Sequence, residues 1–416
     1  MVTVGRIDRS FQTEERAKLV RPEGGAASGA LARCIEPVEA ERFLEDYWER
    51  KPLLVPRDEE GRFDDLLSVA ELERLVAAGG LRYPAFRLVK QSEKLSLGAY
   101  AEDIPWHPQP FSRTARVERV AEEFEHGATI VLQALHLYHP PLARFCRGLE
   151  QELGQRAQTN AYYTPRSAQG FAVHHDTHDV FCVQVAGEKR WLVYPPLLEL
   201  PLPDQNYTAE LGEPGAPVLD VTLRAGDTLY LPRGWLHQAM TSDSHSLHLT
   251  VGLAAYTWFD ALEAALEETA RGEVELRRSM AENGARPDRL LGLVADRLSR
   301  EALTGRKRRW FVRHRRPLRE DVFDQLRALE QLDLDTTLLR RETVISDLAI
   351  DSEHATLSYE GRVLRFPARV AEELEFLTTV DEPFSLAQLP GRLDEAGRLV
   401  LGRRLVRDGF LQVRLD

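Results

Sequence analysis

Residues 173–181 read Val173-His-His-Asp-Thr-His-Asp-Val-Phe181, so three histidines and two aspartates share one strand-like stretch. Side chains two residues apart in a β-strand point to the same face of the sheet. His174 and Asp176 therefore share a face, whereas His175 is expected to point away from it. This stretch alone supplies two side chains of the kinds that bind metal ions.

A second motif supplies a third ligand. Residues 226–237 read Gly226-Asp-Thr-Leu-Tyr-Leu-Pro-Arg-Gly-Trp-Leu-His237, a strand pattern ended by a Pro/Gly turn just before His237. Its spacing matches the second motif of cupin barrels. A His-x-Asp step alone is more often a surface pair than a metal site, but the two motifs together predict a metal bound by His174, Asp176 and His237.

The donor set points to the metal. Two imidazoles and one carboxylate on one face suit iron(II) and leave coordination positions open for a co-substrate and oxygen. Zinc can use the same ligands, but closed structural zinc sites usually have four, and the sequence offers no obvious fourth.

Composition limits the class of protein. The chain has 416 residues, of which 43% are hydrophobic and 29% charged, so two or three domains are expected. No apolar run approaches the roughly 18 residues of a membrane span, and no secretory pattern opens the chain, so the expectation is a cytoplasmic enzyme with no membrane partner. The cysteines at positions 34, 146 and 182 lack metal-ligand or redox spacing. A net charge of −12 argues against nucleic acid as the main partner and leaves basic proteins open.

The hydrophobic patterns divide the chain into four regions. Residues 1–36 have no sustained period and are predicted to be a flexible arm. Residues 37–255 are predicted to form the second region: a helix opens it over 37–48, and strand signals between about residues 82 and 252 predict an antiparallel sandwich or barrel. Residues 256–310 show helical periods, such as Phe259, Leu262 and Leu266, and their apolar stripes need covering by the barrel or by a second subunit. A homodimer is therefore expected.

Residues 311–416 are predicted to form a third unit. The pattern gives a hairpin at Glu360-Gly361, a helix from Ala368, a helix over 393–408 and a closing strand over 410–415, an order similar to a winged helix. The unit holds 16 Arg and no Lys against 20 Asp plus Glu. DNA binding is therefore not expected, and a protein-docking or structural role is.

Several longer motifs resemble those of the JmjC-type ribosomal oxygenases. They are residues 46–54 at the N-terminal side, Asn160 to Gly170, the His174-x-Asp176 step, Val185 to Trp191, and Leu231 to His237. The resemblance implies an α+β fold with a double-stranded β-helix (cupin or jelly-roll) catalytic barrel, a helical dimerisation region and a C-terminal winged helix. It also implies hydroxylation of a protein side chain, on a ribosomal protein, by Fe(II), 2-oxoglutarate and O2.

The resemblance assigns further site residues. Fifteen residues after His174, Lys189 is at the position whose basic side chain pairs with the distal carboxylate of 2-oxoglutarate. The other reading is an exposed hairpin lysine. Thr250 and Asn160 are implied near the co-substrate and Tyr162 near the target side chain, the alternative being ordinary barrel filling. No catalytic residue beyond the metal centre is implied.

Two positions depart from the family pattern. Relatives that hydroxylate a histidine carry a Ser at the end of a His-x-Thr-x-Ser run, where this chain has Gly252, and residues 165–168 differ from the usual Pro-Gly-Ser pattern. An arginyl, histidyl or other target therefore stays open. Two other functions also stay open: the same chemistry on a peptide or small molecule, and a metal-binding cupin that serves as a sensor or scaffold without oxidation.

Overall fold

The computed structural model describes residues 29–78, 80–90, 93–279, 287–295, 298 and 300–415. Of the predicted arm, residues 1–28 lie outside the described residues. The prediction of a flexible arm was wrong for residues 30–35. They form helix α1 (Ala30–Ile35), in which Leu31, Cys34 and Ile35 are buried. These apolar side chains fill space against helix α6 (Pro140–Leu153), so this segment is part of the core.

The central element is a large antiparallel sheet. Within the described residues it contains eleven strands, and its main path runs β1-β11-β9-β13-β7-β6-β2-β3. The strands are β1 (Leu53–Val55), β2 (Phe86–Lys90), β3 (Glu93–Lys94), β6 (Thr129–Leu132), β7 (Arg156–Thr164), β8 (Gln169–His174), β9 (Asp179–Tyr194), β10 (Leu219–Arg224), β11 (Thr228–Leu231), β12 (Leu236–Met240) and β13 (Ser246–Ala254). Strands β4 (Ala101–Ile104) and β5 (Phe111–Ala115) form a separate hairpin.

Strand β9 curls this sheet over on itself. Its first half pairs with β11 and its second half with β10 and β12, so one strand belongs to both layers. The sequence pattern predicted two strands and a turn at Gly187-Glu188, but β9 runs unbroken through both residues. Gly187 bends it with a φ of +62°, and a Cβ there would lie 1.8 Å from the His245 carbonyl oxygen. Only glycine fits that close approach.

Alternation along the strands produces two apolar layers. Phe181, Val183 and Val185 of β9 face a cluster beneath the N-terminal helices, whereas Val180 and Cys182 face the inside of the barrel. The covering helices are α1, α2 (Ala40–Asp46), α3 (Val69–Ala77), α4 (Leu97–Tyr100), α5 (Val117–Glu125) and α6. The outer face of this barrel wall is therefore closely packed against apolar side chains.

A helical region follows the barrel. Helix α7 (Trp258–Gly272) begins with a capping box made by Thr257 and Asp260, and it contacts α8 (Pro287–Ala295) and α9 (Arg300–His314). The predicted boundary at residues 310/311 was wrong, because α9 runs through it without interruption. Val312 of α9 already packs into the C-terminal core, so this helix joins the two units.

The C-terminal unit has its own core and two small sheets. The hairpin at Glu360-Gly361 is confirmed, and the helix over 393–408 is confirmed as α12, which begins at Glu395 and ends before Gly409 at a φ of +80°. The elements are α10 (Val322–Ala328), β14 (Thr337–Arg340), β15 (Ser346–Ile350), β16 (His354–Tyr359), β17 (Arg362–Pro367), α11 (Ala371–Thr379), β18 (Phe384–Ser385), α12 (Glu395–Asp408) and β19 (Leu411–Val413).

Among the helices that the structure describes, none combines the length and the apolarity that a membrane crossing requires.

Candidate active site

The three predicted metal ligands meet at one end of the barrel. His174 ends β8, Asp176 lies in the turn that follows, and His237 is the second residue of β12, directly opposite His174 in the strand register. One ligand atom from each residue lies within 4.8 Å of the others. The Nε2 atom of His237 is 3.8 Å from a carboxylate oxygen of Asp176. These distances leave room for one ion between the three side chains.

Hydrogen bonds orient both imidazoles. The Nδ1 of His174 bonds the Ala172 carbonyl at 2.8 Å, and the Nδ1 of His237 bonds the Trp235 carbonyl at 3.0 Å. Each Nδ1 therefore carries the proton and each Nε2 keeps its lone pair, as metal-binding histidines require. His175 faces away, as predicted, and its Nε2 bonds the Gln205 carbonyl at 2.9 Å.

Electrostatics favour the protonation states that a metal needs. Burial lowers the pKa of His237 to about 4, helped by the neighbouring His174, so the imidazole is neutral at pH 7. Burial alone would raise the pKa of Asp176, but the nearby histidines, His237 first among them, hold it below its usual value. A neutral His237 imidazole and an ionised Asp176 carboxylate thus face the gap beside the His174 ring.

The cavity beyond the ligands is lined by matching positions on three strands. His248, Thr250 and Gly252 share the inner face of β13, and they lie opposite Tyr162, Asn160 and Gln158 of β7, respectively. On β9, Lys189 and Trp191 also face inward. The Trp191 ring lies 6.0 Å from the His237 ring and 5.5 Å from the His248 ring, so it connects the metal end of the cavity with its interior.

Lys189 is enclosed and is not an exposed hairpin residue. It is 4% exposed, and its Nζ donates to the Thr164 hydroxyl at 3.1 Å. In the part of the chain that the structure describes, no carboxylate pairs with it. Burial lowers its pKa to about 7. A buried ammonium without a carboxylate is unfavourable, so this end of the cavity is suited to an anionic ligand.

The other three predicted site residues, Asn160, Tyr162 and Thr250, lie on the inward-facing positions of β7 and β13. The Asn160 Oδ1 accepts from the Ala134 backbone N–H at 2.9 Å. The Tyr162 ring stacks on the His248 ring at 4.9 Å, and burial raises the pKa of its hydroxyl to about 12. Thr250 has its hydroxyl bonded to the thiol of Cys182. Thr250 lies opposite Asn160 in the pairing of β13 with β7, and Asn160 is also hydrogen-bonded to the Tyr162 hydroxyl.

Two histidines of the cavity were left unassigned by the sequence pattern. His248 is 3% exposed, and within the described residues its Nδ1 has no hydrogen-bond partner. A Cβ on Gly252 would lie 3.1 Å from the His178 ring and 3.3 Å from Gln158, so the imidazole of His178 occupies the space beside that glycine. The two-residue step from Thr250 could have placed His248 in the cavity. The contact between His178 and Gly252 joins a loop to a distant strand, and no local pattern indicates it.

Comparison with known proteins finds a match to a domain family over part of the chain. The JmjC domain model matches residues 133–261. Ribosomal oxygenase 1 of Gallus gallus is 33% identical over 284 residues, which are 62% of this chain and 46% of that protein. The bifunctional lysine-specific demethylase and histidyl-hydroxylase NO66 of Drosophila persimilis is 34% identical over 227 residues, 54% of this chain and 31% of that protein. The chain thus spans about half the length of these curated relatives, or less.

A solved structure shares the fold across nearly the whole chain. The ribosomal oxygenase YcfD from Escherichia coli, in complex with cobalt and 2-oxoglutarate, superposes with a TM-score of 0.53 at 18% sequence identity. The match covers 90% of this chain and 98% of that one.

Proposed function

From the JmjC domain that this chain carries and its homology to ribosomal oxygenases, we propose that it is an Fe(II)- and 2-oxoglutarate-dependent oxygenase that hydroxylates a protein side chain. One observation carries the proposal: a three-residue ligand set and a buried, carboxylate-free lysine line the same cavity. A dicarboxylate that chelates a metal through one end needs a cation for its other end. Lys189 is that cation.

The donor set fits iron. When bound, iron(II) supplies the redox chemistry that couples decarboxylation of 2-oxoglutarate by O2 to hydroxylation of a C–H bond. His174, Asp176 and His237 would hold it, and their oriented Nε2 atoms and ionised carboxylate are ready without rearrangement. Cobalt and 2-oxoglutarate occupy the solved relative.

The remaining cavity residues bind and orient the reactants. The Nζ of Lys189 would donate to the far carboxylate of 2-oxoglutarate, and the Thr250 hydroxyl and the Asn160 amide, paired across β13 and β7, would contact the same co-substrate. Tyr162 is fixed by its stack on His248, which presents its ring to the target side chain. The apolar clusters on both sides of β9 hold this wall of the cavity in place.

The target that fits best is a side chain of a ribosomal protein. The curated relatives are named for that activity, and one of them is named a histidyl-hydroxylase. A chain with a net charge of −12 attracts basic segments, in which ribosomal proteins are rich. Because the His178 ring fills the space beside Gly252, we keep an arginyl or other target side chain open along with a histidyl one.

The helical region supports a homodimer. Apolar side chains are exposed along one side of α7: Trp258 is 66% exposed, Phe259 54%, Leu262 44% and Leu266 48%. Such a stripe on a monomer signals a missing partner, and a second copy of the chain covers it by two-fold symmetry. The C-terminal unit is winged-helix-like, because its order is α10-β14-α11-β18-α12-β19 once the separate β15-β16-β17 sheet between β14 and α11 is set aside. A cytoplasmic location fits its three buried free cysteines.

Mass spectrometry of ribosomal proteins tests the target. A strain lacking this chain should lose, on one ribosomal protein, the mass of one added oxygen atom, and wild-type chain but not Asp176→Ala should restore it. An unchanged ribosome combined with 2-oxoglutarate turnover by the purified chain would favour a peptide or small-molecule substrate. Absence of succinate formation under every condition would favour a non-catalytic cupin.

A further inference from the structure

A buried group of charges lies behind the two loops that carry the candidate metal ligands. The guanidinium of Arg233 contacts the carboxylates of both Asp179, at 2.9 Å, and Glu49, at 2.5 Å. Arg233 is 6% exposed and Asp179 is fully buried. The Tyr230 hydroxyl donates to Asp179 at 3.0 Å and accepts from the Glu49 backbone N–H at 3.0 Å.

Each charge belongs to a segment that bears on the ligands. Asp179 comes three residues after Asp176, and Arg233 comes four residues before His237. Asp179 also accepts from the Arg233 backbone N–H at 3.3 Å, so the carboxylate holds both ends of that residue. A second link joins the same loops, because the Gly234 N–H donates to the Asp176 carbonyl at 3.0 Å.

Stability alone is a poor reason for such a group. The free energy of desolvating two charges offsets much of their Coulombic attraction. Replacing a buried ion pair by apolar side chains is therefore often neutral or stabilising. What an ion pair with fixed hydrogen-bond directions does well is to set a geometry. Here the geometry it sets is the spacing of the two loops across the candidate metal centre.

We propose that Arg233 and Asp179 are positioning residues, whose ion pair holds the 175–178 turn and the 232–236 turn at the separation where His174, Asp176 and His237 close on one metal ion. Glu49, from the turn after α2, anchors the pair to the N-terminal segment. This inference rests on the proposed function, because it takes the three ligands to bind metal. Neither residue is one of the three candidate ligands.

The test is cobalt(II) titration of the full-length chain, followed by visible absorption, together with thermal unfolding of the metal-free protein. The double variant Arg233→Met/Asp179→Leu removes both charges at similar volume. We expect its metal-free Tm to stay near or above that of the wild type while its cobalt affinity falls by about 10- to 100-fold, the range for partners that orient metal ligands. Asp179→Glu, which keeps the charges, should recover part of the affinity.

The matched control is Arg190→Met/Asp220→Leu. This pair is bidentate, at 2.7 and 2.6 Å, but it is half exposed on β9 and β10 and contacts neither ligand loop. Its removal should leave cobalt affinity unchanged. If the first double variant does not unfold cooperatively, Asp179→Asn replaces it, because the amide keeps the shape and loses only the charge, and it should also weaken cobalt binding.

The outcomes separate the two ideas. A wild-type chain that binds no cobalt overturns the proposed function, and this inference with it. A wild-type chain that binds cobalt, together with a folded Arg233→Met/Asp179→Leu or Asp179→Asn variant of equal affinity and equal spectrum, overturns the positioning role alone.

Discussion

Replacing Lys189 tests the co-substrate end of the cavity. Its Nζ is buried, and Thr164 is the hydrogen-bond partner that the structure gives it. An ammonium bound to a carboxylate contributes about 1.5–3 kcal/mol net. That energy corresponds to about a 10- to 150-fold change in affinity. Lys189→Ala should therefore weaken 2-oxoglutarate binding by this factor, with a further loss because the carboxylate is left buried and unpaired.

The assay is calorimetric titration of 2-oxoglutarate into the manganese(II)-loaded protein, with the metal affinity measured separately. Lys189→Ala should keep the metal, since the lysine contacts none of the three ligands. Lys189→Arg should retain partial binding, because the charge stays but the planar guanidinium needs more room. Lys189→Glu should bind no 2-oxoglutarate. Lys94→Ala, on the exposed strand β3, is the control. An unchanged Kd in Lys189→Ala would refute the assignment.

Four further outcomes follow from the geometry. Burial lowers the pKa of Lys189 to about 7, so above pH 7 the free lysine is neutral and must take up a proton to bind a carboxylate. The Kd of 2-oxoglutarate, measured by calorimetry, should therefore rise by up to about tenfold per pH unit above pH 7. In Lys189→Arg the Kd should not change with pH over this range. His175→Ala should keep wild-type cobalt affinity, because its ring points away from the candidate metal centre. Leu262→Glu should give a monomer in sedimentation at micromolar concentration, where the wild type is a dimer; a monomeric wild type would contradict the homodimer. Gly187→Ala should cost at least about 2 kcal/mol in denaturant unfolding. Gly154→Ala has the same φ of +62°, but its added Cβ would meet only the flexible Lys307 side chain, at 3.7 Å, so it should cost less; equal losses would contradict a steric clash with the His245 carbonyl.

The candidate metal ligands could be predicted because local rules place them. A two-residue step puts His174 and Asp176 on one face whatever the rest of the sheet does, and the Pro/Gly turn before His237 is a local signal as well. The structure brings these three side chains together as the spacing predicted. Lys189 required more, since its burial depends on the whole barrel, and the family resemblance supplied it.

Features that depend on distant contacts could not be predicted. The sequence pattern predicted a turn at Gly187 and Glu188, because glycine serves both in turns and in positive-φ bends within a strand. Only the close approach of the His245 backbone to Gly187 distinguishes the bend from a turn. The boundary predicted between residues 310 and 311 lies inside α9. The contacts of Arg233 with Glu49 and of His178 with Gly252 join segments far apart in the chain.

The most direct test of the central claim is succinate formation from 2-oxoglutarate by the purified chain, with and without Fe(II) and O2, in the wild type and in Asp176→Ala. Loss of one of three protein ligands should abolish turnover while leaving the barrel folded, as seen by circular dichroism. We expect succinate from the wild type only when both Fe(II) and O2 are present, and none from Asp176→Ala; equal succinate formation by the two proteins would contradict the proposed metal centre.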